Sequence, residues 1–150
     1  MVRDLGGLSL KPLPWRFDSL ASVWAFAPRV LVGVDHIPTR WDVQHANPRY
    51  LGIGATTHWS AMATHHCPAT ACAGCAHPHD DTMAGPIPTV AVVSFLAALL
   101  QTVDFLRDLA GSPAAQNLTY VTAPRPARIW RAPGAEHRAC PVDHALRDAS

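Results

Sequence analysis

The strongest chemical signal in the sequence is a pair of cysteines separated by two residues, Cys72 and Cys75. Because a glycine lies inside this short turn, both thiolates can point at one tetrahedral zinc ion. Cys140 lies about 65 residues further along the chain and can supply a third thiolate. The spacing therefore predicts a structural zinc site, and the alternative is a set of buried thiols that bind no metal.

The residues alone leave the fourth zinc ligand open. Asp143 repeats, after Cys140, the two-residue spacing of the first cysteine pair. His144 is its neighbour and a softer ligand, and Cys67 is the remaining cysteine. In a reducing compartment, cysteines serve more often as metal ligands or free thiols than as disulfides.

Four histidines flank these cysteines: His65, His66, His77 and His79. A catalytic zinc needs three protein ligands and an open position, and the sequence has no His-Glu-x-x-His helix. We therefore expect solvated imidazoles in a loop, and we keep a zinc hydrolase as a weaker alternative.

Asp35 directly follows the apolar, β-branched segment 29–34, which is typical of a buried strand in a parallel sheet. In open α/β sheets, ligands bind at the carboxyl ends of the strands, where a carboxylate can hold Mg²⁺ beside phosphates. Arg40 follows five residues later and can face the same crevice. The alternative is an aspartate that caps a helix, followed by a surface arginine.

The elements that must position these residues begin with strand 29–34. A helix over 38–47 should follow, with Pro38 in its first turn and Pro48 ending it. A second strand over 50–54 completes a β-α-β unit of an α/β fold. Gly52 and Gly54 do not form a dinucleotide-binding motif, because no third glycine follows at the required spacing.

The second half of the sequence predicts one long helix and two short strands. The helix covers 89–109, and its apolar first half predicts burial in the core. Segments 118–121 and 128–131 read as strands of a hairpin or meander. The first 28 residues carry no clear pattern, so the domain is expected to begin at residue 29 and to run to residue 150.

Composition excludes several classes of protein. The net charge is +1 with no basic run, so we expect neither a nucleic-acid surface nor binding to an anionic membrane. The longest apolar stretch is shorter than the roughly 20 residues that a membrane span needs. The N-terminus has an acid and two glycines where a secretory signal is apolar, so we expect a cytoplasmic protein.

Five segments together resemble the ThiF/MoeB/HesA family, whose members are adenylating enzymes similar to the ubiquitin-activating enzymes. The segments are 34–41, 48–54, 72–78, 85–90 and 140–142. Their order and approximate spacing match the carboxyl-terminal half of the family's domain.

The resemblance implies a partial Rossmann-like, ThiF-type sheet with a zinc-knuckle insertion and a long buried helix. It also implies ATP and Mg²⁺ at Asp35 and Arg40. The zinc ligands that it implies are Cys72, Cys75, Cys140 and Asp143. The implied partners are a ubiquitin-like or sulfur-carrier protein, whose C-terminal carboxylate is adenylated, and either a second copy of the chain or a complementing N-terminal half.

The sequence departs from the family in three places. Asp143 stands where the family has its last zinc cysteine. His36 follows the aspartate where the family has asparagine, and the 34 residues before Asp35 contain no glycine-rich phosphate loop. Two hypotheses follow. The chain is a ThiF-like adenylating protein that lacks the ATP loop, or it is a catalytically inactive, zinc-stapled module for protein interaction.

Overall fold

The computed structural model describes residues 28–46, 48–67, 70–78, 89–112, 117–122 and 128–132, the last of these as backbone. Along the chain these residues form β1 (Arg29–Val32), α1 (Ile37–His45), β2 (Tyr50–Thr57), β3 (Ser60–His66), α2 (Ala73–Ala76), α3 (Ala91–Leu109), β4 (Leu118–Thr122) and β5 (Arg128–Ala132). The N-terminal segment, except for residue 28, lies outside the described residues, as do His79, Cys140, Asp143 and His144.

The strands of the described residues form one sheet in the order β1-β2-β3-β4-β5. β1 and β2 are parallel, with Val30 opposite Leu51, and α1 connects them. This confirms the predicted β-α-β unit. The other pairs are antiparallel, so the sheet is mixed rather than parallel throughout. A mixed α/β sheet of this kind is compatible with part of a Rossmann-like fold.

β3 is the strand that the sequence analysis missed. Its residues read Ser-Ala-Met-Ala-Thr-His-His, and this composition has neither an apolar alternation nor β-branched aliphatic residues. Its small side chains suit a central strand, because β3 lies between β2 and β4 and helices pack on the sheet. The β2–β3 turn is tight, since His58 adopts the left-handed conformation with φ 47°.

Helices cover both faces of the sheet. On one face, Val43 of α1 and Ala73 of α2 pack against Val30, Leu51 and Ile53. On the other face, α3 packs across β2 and β3. The described residues therefore form three layers, with the sheet in the middle.

The prediction that α3 is buried is wrong. Its inner stripe, Val93, Ala97 and Gln101, faces the sheet, while the opposite side of the helix is open. Apolar residues all round a helix predict burial only when protein covers every side. Here the sheet covers one side, and Phe95 is 71% exposed on the other.

Gly52 and Gly54 allow the close packing of β2. A Cβ atom at Gly54 would lie 3.0 Å from the side-chain oxygen of Gln101, and one at Gly52 would lie 2.8 Å from Leu31 Cδ2. These glycines therefore allow the close approach of Gln101 and Leu31 to β2. Among the helices of the described residues, none has the length and apolar character that a membrane crossing needs.

Candidate functional site

Asp35 lies in the loop that follows the carboxyl end of β1, and it is exposed to solvent. It lines a shallow depression together with Gly33, Gly54, Thr56 and Ser94. The depression measures about 160 Å³, whereas pockets for whole ligands usually measure about 300–1,000 Å³. It therefore has room for part of a ligand, such as a metal-bound phosphate group, rather than for a whole nucleotide.

Gln101 closes the inner wall of this depression. Its side-chain amide donates to the backbone oxygen of Val32 at 3.0 Å and to that of Gly52 at 2.8 Å. One side chain of α3 thus ties the carboxyl end of β1 to Gly52 in the first half of β2. The sequence analysis did not single out Gln101, although a glutamine inside an apolar helix is a signal for a buried hydrogen bond.

Arg40 is buried rather than on the surface, with 7% of the residue exposed. Its Nε and Nη2 donate to the backbone oxygen of Val34 at 3.1 and 2.9 Å. Its Nη1 donates to His77 Nδ1 at 3.1 Å. Burial lowers the pKa of Arg40, and the nearby Asp35 carboxylate partly offsets that effect. The guanidinium therefore holds the backbone just before Asp35. His36 rather than Asp35 occupies the N-cap position of α1, and its side chain makes no capping hydrogen bond.

His77 continues the hydrogen bonds of Arg40 into the protein interior. Because an arginine can only donate, His77 Nδ1 must accept, and the ring proton lies on Nε2. That proton is donated to Thr64 Oγ1 at 2.8 Å. Burial lowers the pKa of His77 to about 2, and the charges of Arg40 and His66 contribute. The imidazole is therefore neutral at physiological pH.

His66 completes this chain of hydrogen bonds. The Thr64 hydroxyl donates to His66 Nε2 at 2.9 Å, and His66 Nδ1 donates to the backbone oxygen of Ala71. We call the chain from Arg40 through His77, Thr64 and His66 to Ala71 the Arg40–Ala71 relay. It connects the loop of Asp35 with the turn that carries the cysteine pair.

For His65, His66 and His77 the prediction of solvated imidazoles is wrong, because all three are buried, whereas His79 lies outside the described residues. His65 and His66 lie on β3, and both are buried, as is His77. The ring nitrogens of His66 and His77 bind protein atoms rather than point at a common ion. Within the described ranges, no three histidine, cysteine or acidic residues are arranged to hold a metal ion. These contacts disfavour the alternative of a zinc hydrolase that uses the histidines.

His65 faces the opposite side of the sheet from His66, because neighbouring residues of a strand point in opposite directions. It stacks on Tyr50, with ring centroids 6.0 Å apart, and its Nδ1 lies 3.9 Å from an Asp104 oxygen. Burial raises the pKa of Tyr50, with the charges of Asp104, Asp108 and Cys67 adding to that effect. This cluster is separate from the depression at Asp35.

Cys72 and Cys75 lie at the start of α2, and their sulfur atoms are 3.6 Å apart. In a tetrahedral site with zinc–sulfur bonds of about 2.3 Å, two thiolates are separated by about 3.8 Å. The pair thus fits two ligands of one zinc ion. The turn is fixed by Gln44, whose side-chain oxygen accepts the Ala73 N–H at 3.2 Å, and by Trp41 Nε1, which donates to the His77 oxygen at 3.0 Å.

Comparison with known proteins shows a similarity of fold but no match in sequence. No protein-family model matches the sequence, and no curated protein matches it. Among solved structures, the crystal structure of E. coli MccB together with MccA-N7isoASN matches with a TM-score of 0.60 and 17% sequence identity. The match covers 77% of this chain and 40% of the MccB chain. At this identity the likeness shows the fold, and it agrees with the ThiF-type resemblance at that level.

Proposed function

We propose that the chain forms the metal–phosphate side of a ThiF-type adenylating enzyme. In the proposed reaction, the C-terminal carboxylate of a ubiquitin-like or sulfur-carrier protein attacks the α-phosphate of ATP and displaces pyrophosphate. The observation that carries the proposal is the exposed Asp35 at the carboxyl end of β1, beside a depression open to solvent. This is the edge of an α/β sheet at which ligands bind.

The similarity of fold to MccB supports the proposed adenylating function, because MccB is itself a ThiF/MoeB-like adenylating enzyme. MccB was solved together with MccA-N7isoASN. The present chain spans 40% of the MccB chain, so the activity of the whole protein is part of the proposal.

The residues present fit a limited role in this chemistry. Bound Mg²⁺ would neutralise the charge of the phosphates, and Asp35 is the carboxylate placed to hold it. We assign Arg40 to positioning, because its donors hold Val34 and His77 rather than point at the depression. The backbone N–H groups that cradle phosphates in such folds must come from outside these 150 residues, because their sequence has no glycine-rich loop.

The test is ATP–pyrophosphate exchange with the chain, a panel of carrier proteins and the N-terminal half of a ThiF-type enzyme. We expect exchange in the mixture and at least about a 100-fold loss in the Asp35→Asn variant, because the loss of a phosphate-bound metal's ligand removes several kcal/mol of charge stabilisation. Asp42→Asn is the matched control, since Asp42 is exposed on α1. A mixture without exchange for every carrier, or full activity of Asp35→Asn, contradicts the proposal.

The cysteine pair favours a second candidate, a catalytically inactive module stapled by zinc for protein interaction. We propose that Cys72, Cys75, Cys140 and Asp143 bind the ion, with His144 or Cys67 as alternatives to Asp143. The 3.6 Å sulfur separation supports this assignment of the first two. A structural zinc ion in a small domain contributes roughly 10 kcal/mol or more to folding.

Zinc is tested by metal analysis and by thermal unfolding with and without a chelator at neutral pH. We expect one zinc ion per chain and a large drop in melting temperature on chelation, and a drop of similar size in Cys72→Ser. Cys67→Ser reports whether that thiol is the fourth ligand. An unchanged melting temperature with chelator excludes a stabilising zinc ion. Bound zinc with no exchange in any mixture favours the interaction module over the enzyme.

A further inference from the structure

The side-chain amide of Gln101 has only one possible orientation, because both of its N–H groups are used. Nε2 donates to the backbone oxygens of Val32 and Gly52, at 3.0 and 2.8 Å. An amide turned by half a rotation would place Oε1 against these two oxygens, and an amide oxygen cannot donate to either of them. Oε1 therefore faces away from both backbone oxygens, and a Cβ atom at Gly54 would lie 3.0 Å from it.

Oε1 of Gln101 is an acceptor that the protein itself leaves unused. Within the described ranges, no donor lies at hydrogen-bond distance from it. Gln101 is only 8% exposed, and it lines the depression at Asp35. A nearly buried polar atom without a partner calls for an explanation, such as a bound water molecule or ion. The partner of Oε1 should therefore be sought in the depression.

The lining of the depression indicates the charge of its ligand. Four of the described lining residues have polar side chains, and all four offer oxygen atoms: Asp35, Thr56, Ser94 and Gln101. The other described lining residues are glycines and alanines. This part of the lining contains no lysine, arginine or histidine, so its single formal charge is the negative charge of Asp35. The depression therefore suits a cation, and it suits a phosphate only when a cation accompanies it.

We propose that Gln101 is a second binding residue of this site, and that its Oε1 accepts a hydrogen bond from the water shell of a divalent cation held by Asp35. Mg²⁺ gives up water reluctantly, so it keeps several water molecules when one or two carboxylates bind it. Those water molecules are donors that need acceptors, and Oε1 supplies one at the inner wall. The depression measures about 160 Å³, which leaves room for an ion with part of its water shell, since one water molecule takes up about 30 Å³. The inference rests on the proposed function, because it concerns the metal ion assigned there to Asp35.

A merely structural role of Gln101 would depend on its two N–H groups rather than on Oε1, and substitutions separate the two roles. Gln101→Glu keeps a carboxyl oxygen that can accept in either protonation state, but it removes the amide donors. Gln101→Met has a similar length and neither an N–H donor nor an oxygen acceptor. Binding through Oε1 should therefore survive in Gln101→Glu and be lost in Gln101→Met, whereas a structural role would be lost in both.

The experiment titrates the chain with cobalt(III) hexammine and follows the backbone amide signals by NMR. The ammine ligands of this ion do not exchange and can only donate hydrogen bonds, so the ion reports contacts to a metal's outer shell. We expect shifts at residues 33–35 and 54–56, binding about 10-fold weaker in Gln101→Met, and binding no weaker than wild type in Gln101→Glu. Val93→Ala is the matched control, because Val93 is buried under α3 without lining the depression, and it should bind as the wild type does. Circular dichroism shows whether each variant is folded.

Wild-type binding in Gln101→Met, or equal weakening in Gln101→Met and Gln101→Glu, would overturn the proposal. If Gln101→Met does not fold, Gly54→Ala replaces it, because the added methyl group lies in front of Oε1 and leaves the amide donors in place. Unchanged binding in Gly54→Ala would then overturn the proposal. A titration with Mn²⁺ and ATP separates the two levels of the argument. If Mn²⁺ with ATP broadens residues 33–35 in the wild type and not in Asp35→Asn, while cobalt(III) hexammine shifts neither segment, only the role of Gln101 is refuted. If neither probe acts there, the proposed function fails with it.

Discussion

Acidification should destabilise the protein through His77, because this histidine must stay neutral in the folded state. Burial, with the charges of Arg40 and His66, lowers the pKa of His77 to about 2, against about 6.5 in the unfolded chain. Between these two values, the unfolded state binds a proton that the folded state does not bind. The stabilising contribution of the neutral ring is therefore fully present above pH 6.5 and is lost as the pH falls towards 2.

The size of the effect follows from one proton. Each pH unit between the two pKa values changes the free energy of unfolding by about 1.4 kcal/mol, so that the decrease from pH 7 to pH 5 is about 2 kcal/mol. The result depends little on the exact folded pKa, provided that it lies well below 5. Other titrating groups contribute too, so the quantity of interest is a difference between wild type and a variant.

The assay is urea unfolding of the wild type and of His77→Gln at pH 7 and pH 5. Glutamine keeps a donor for Thr64 and an acceptor for Arg40 but does not titrate. We expect the variant to lose less stability on acidification than the wild type does, by about 2 kcal/mol. Equal losses in the two proteins would refute the reasoning, because His77 would then be protonated in the folded state or exposed.

Two further substitutions test the packing of β2 and the buried hydroxyl. Gly52→Ala should lower stability by about 1–3 kcal/mol, because the added methyl group would lie 3.2 Å from Cε1 of the buried Tyr50 side chain and would displace the end of the Leu31 side chain. Gly33→Ala, in open space, should be neutral or slightly stabilising. Thr64→Val should cost about 2–5 kcal/mol, because it removes the buried hydroxyl that hydrogen-bonds both His66 and His77. Thr57→Val, at a solvent-exposed hydrogen bond, should cost less than about 1 kcal/mol. Chemical denaturation of the four variants and the wild type measures these changes in the free energy of unfolding.

In each pair of substitutions, the result for the control variant decides how the result for the test variant is interpreted. If Gly33→Ala destabilises as much as Gly52→Ala, backbone freedom rather than steric contact determines the effect. If Thr64→Val is as stable as the wild type, the Arg40–Ala71 relay is not formed in solution.

The sequence predicts those elements whose pattern is local. β1 is apolar and β-branched, α1 has a proline at its start and another after its end, and α3 has an unbroken apolar run. Each of these features acts within a few residues, so the β-α-β unit and the long helix could be located. The hairpin of β4 and β5 was found for the same reason.

Other features depend on contacts between distant parts of the chain. β3 consists of small and polar residues, and it is a strand because β2 and β4 pair with it on both sides. Arg40 looked like a surface residue or a phosphate ligand, and its burial follows from His77, which lies 37 positions away. The exposed side of α3 could not be told from its buried side, because both are apolar.

The candidate site was predicted in part. The position of Asp35 after β1 followed from the strand itself, and the two-residue spacing of Cys72 and Cys75 followed from the zinc-ligand pattern. Gln101, which closes the wall of the depression, comes from a helix far along the sequence, and only the packing of α3 places it there. The zinc assignment of Cys140 and Asp143 concerns residues outside the described ranges and stays a prediction.

The most direct measurement of the central claim is paramagnetic broadening of backbone amide signals by Mn²⁺ with millimolar ATP, a condition that detects weak binding. The account predicts selective broadening at residues 33–35 and 54–56, lost in Asp35→Asn and retained in Asp42→Asn. Broadening centred elsewhere, or unchanged in Asp35→Asn, would show that the carboxyl end of β1 does not bind a metal–phosphate group.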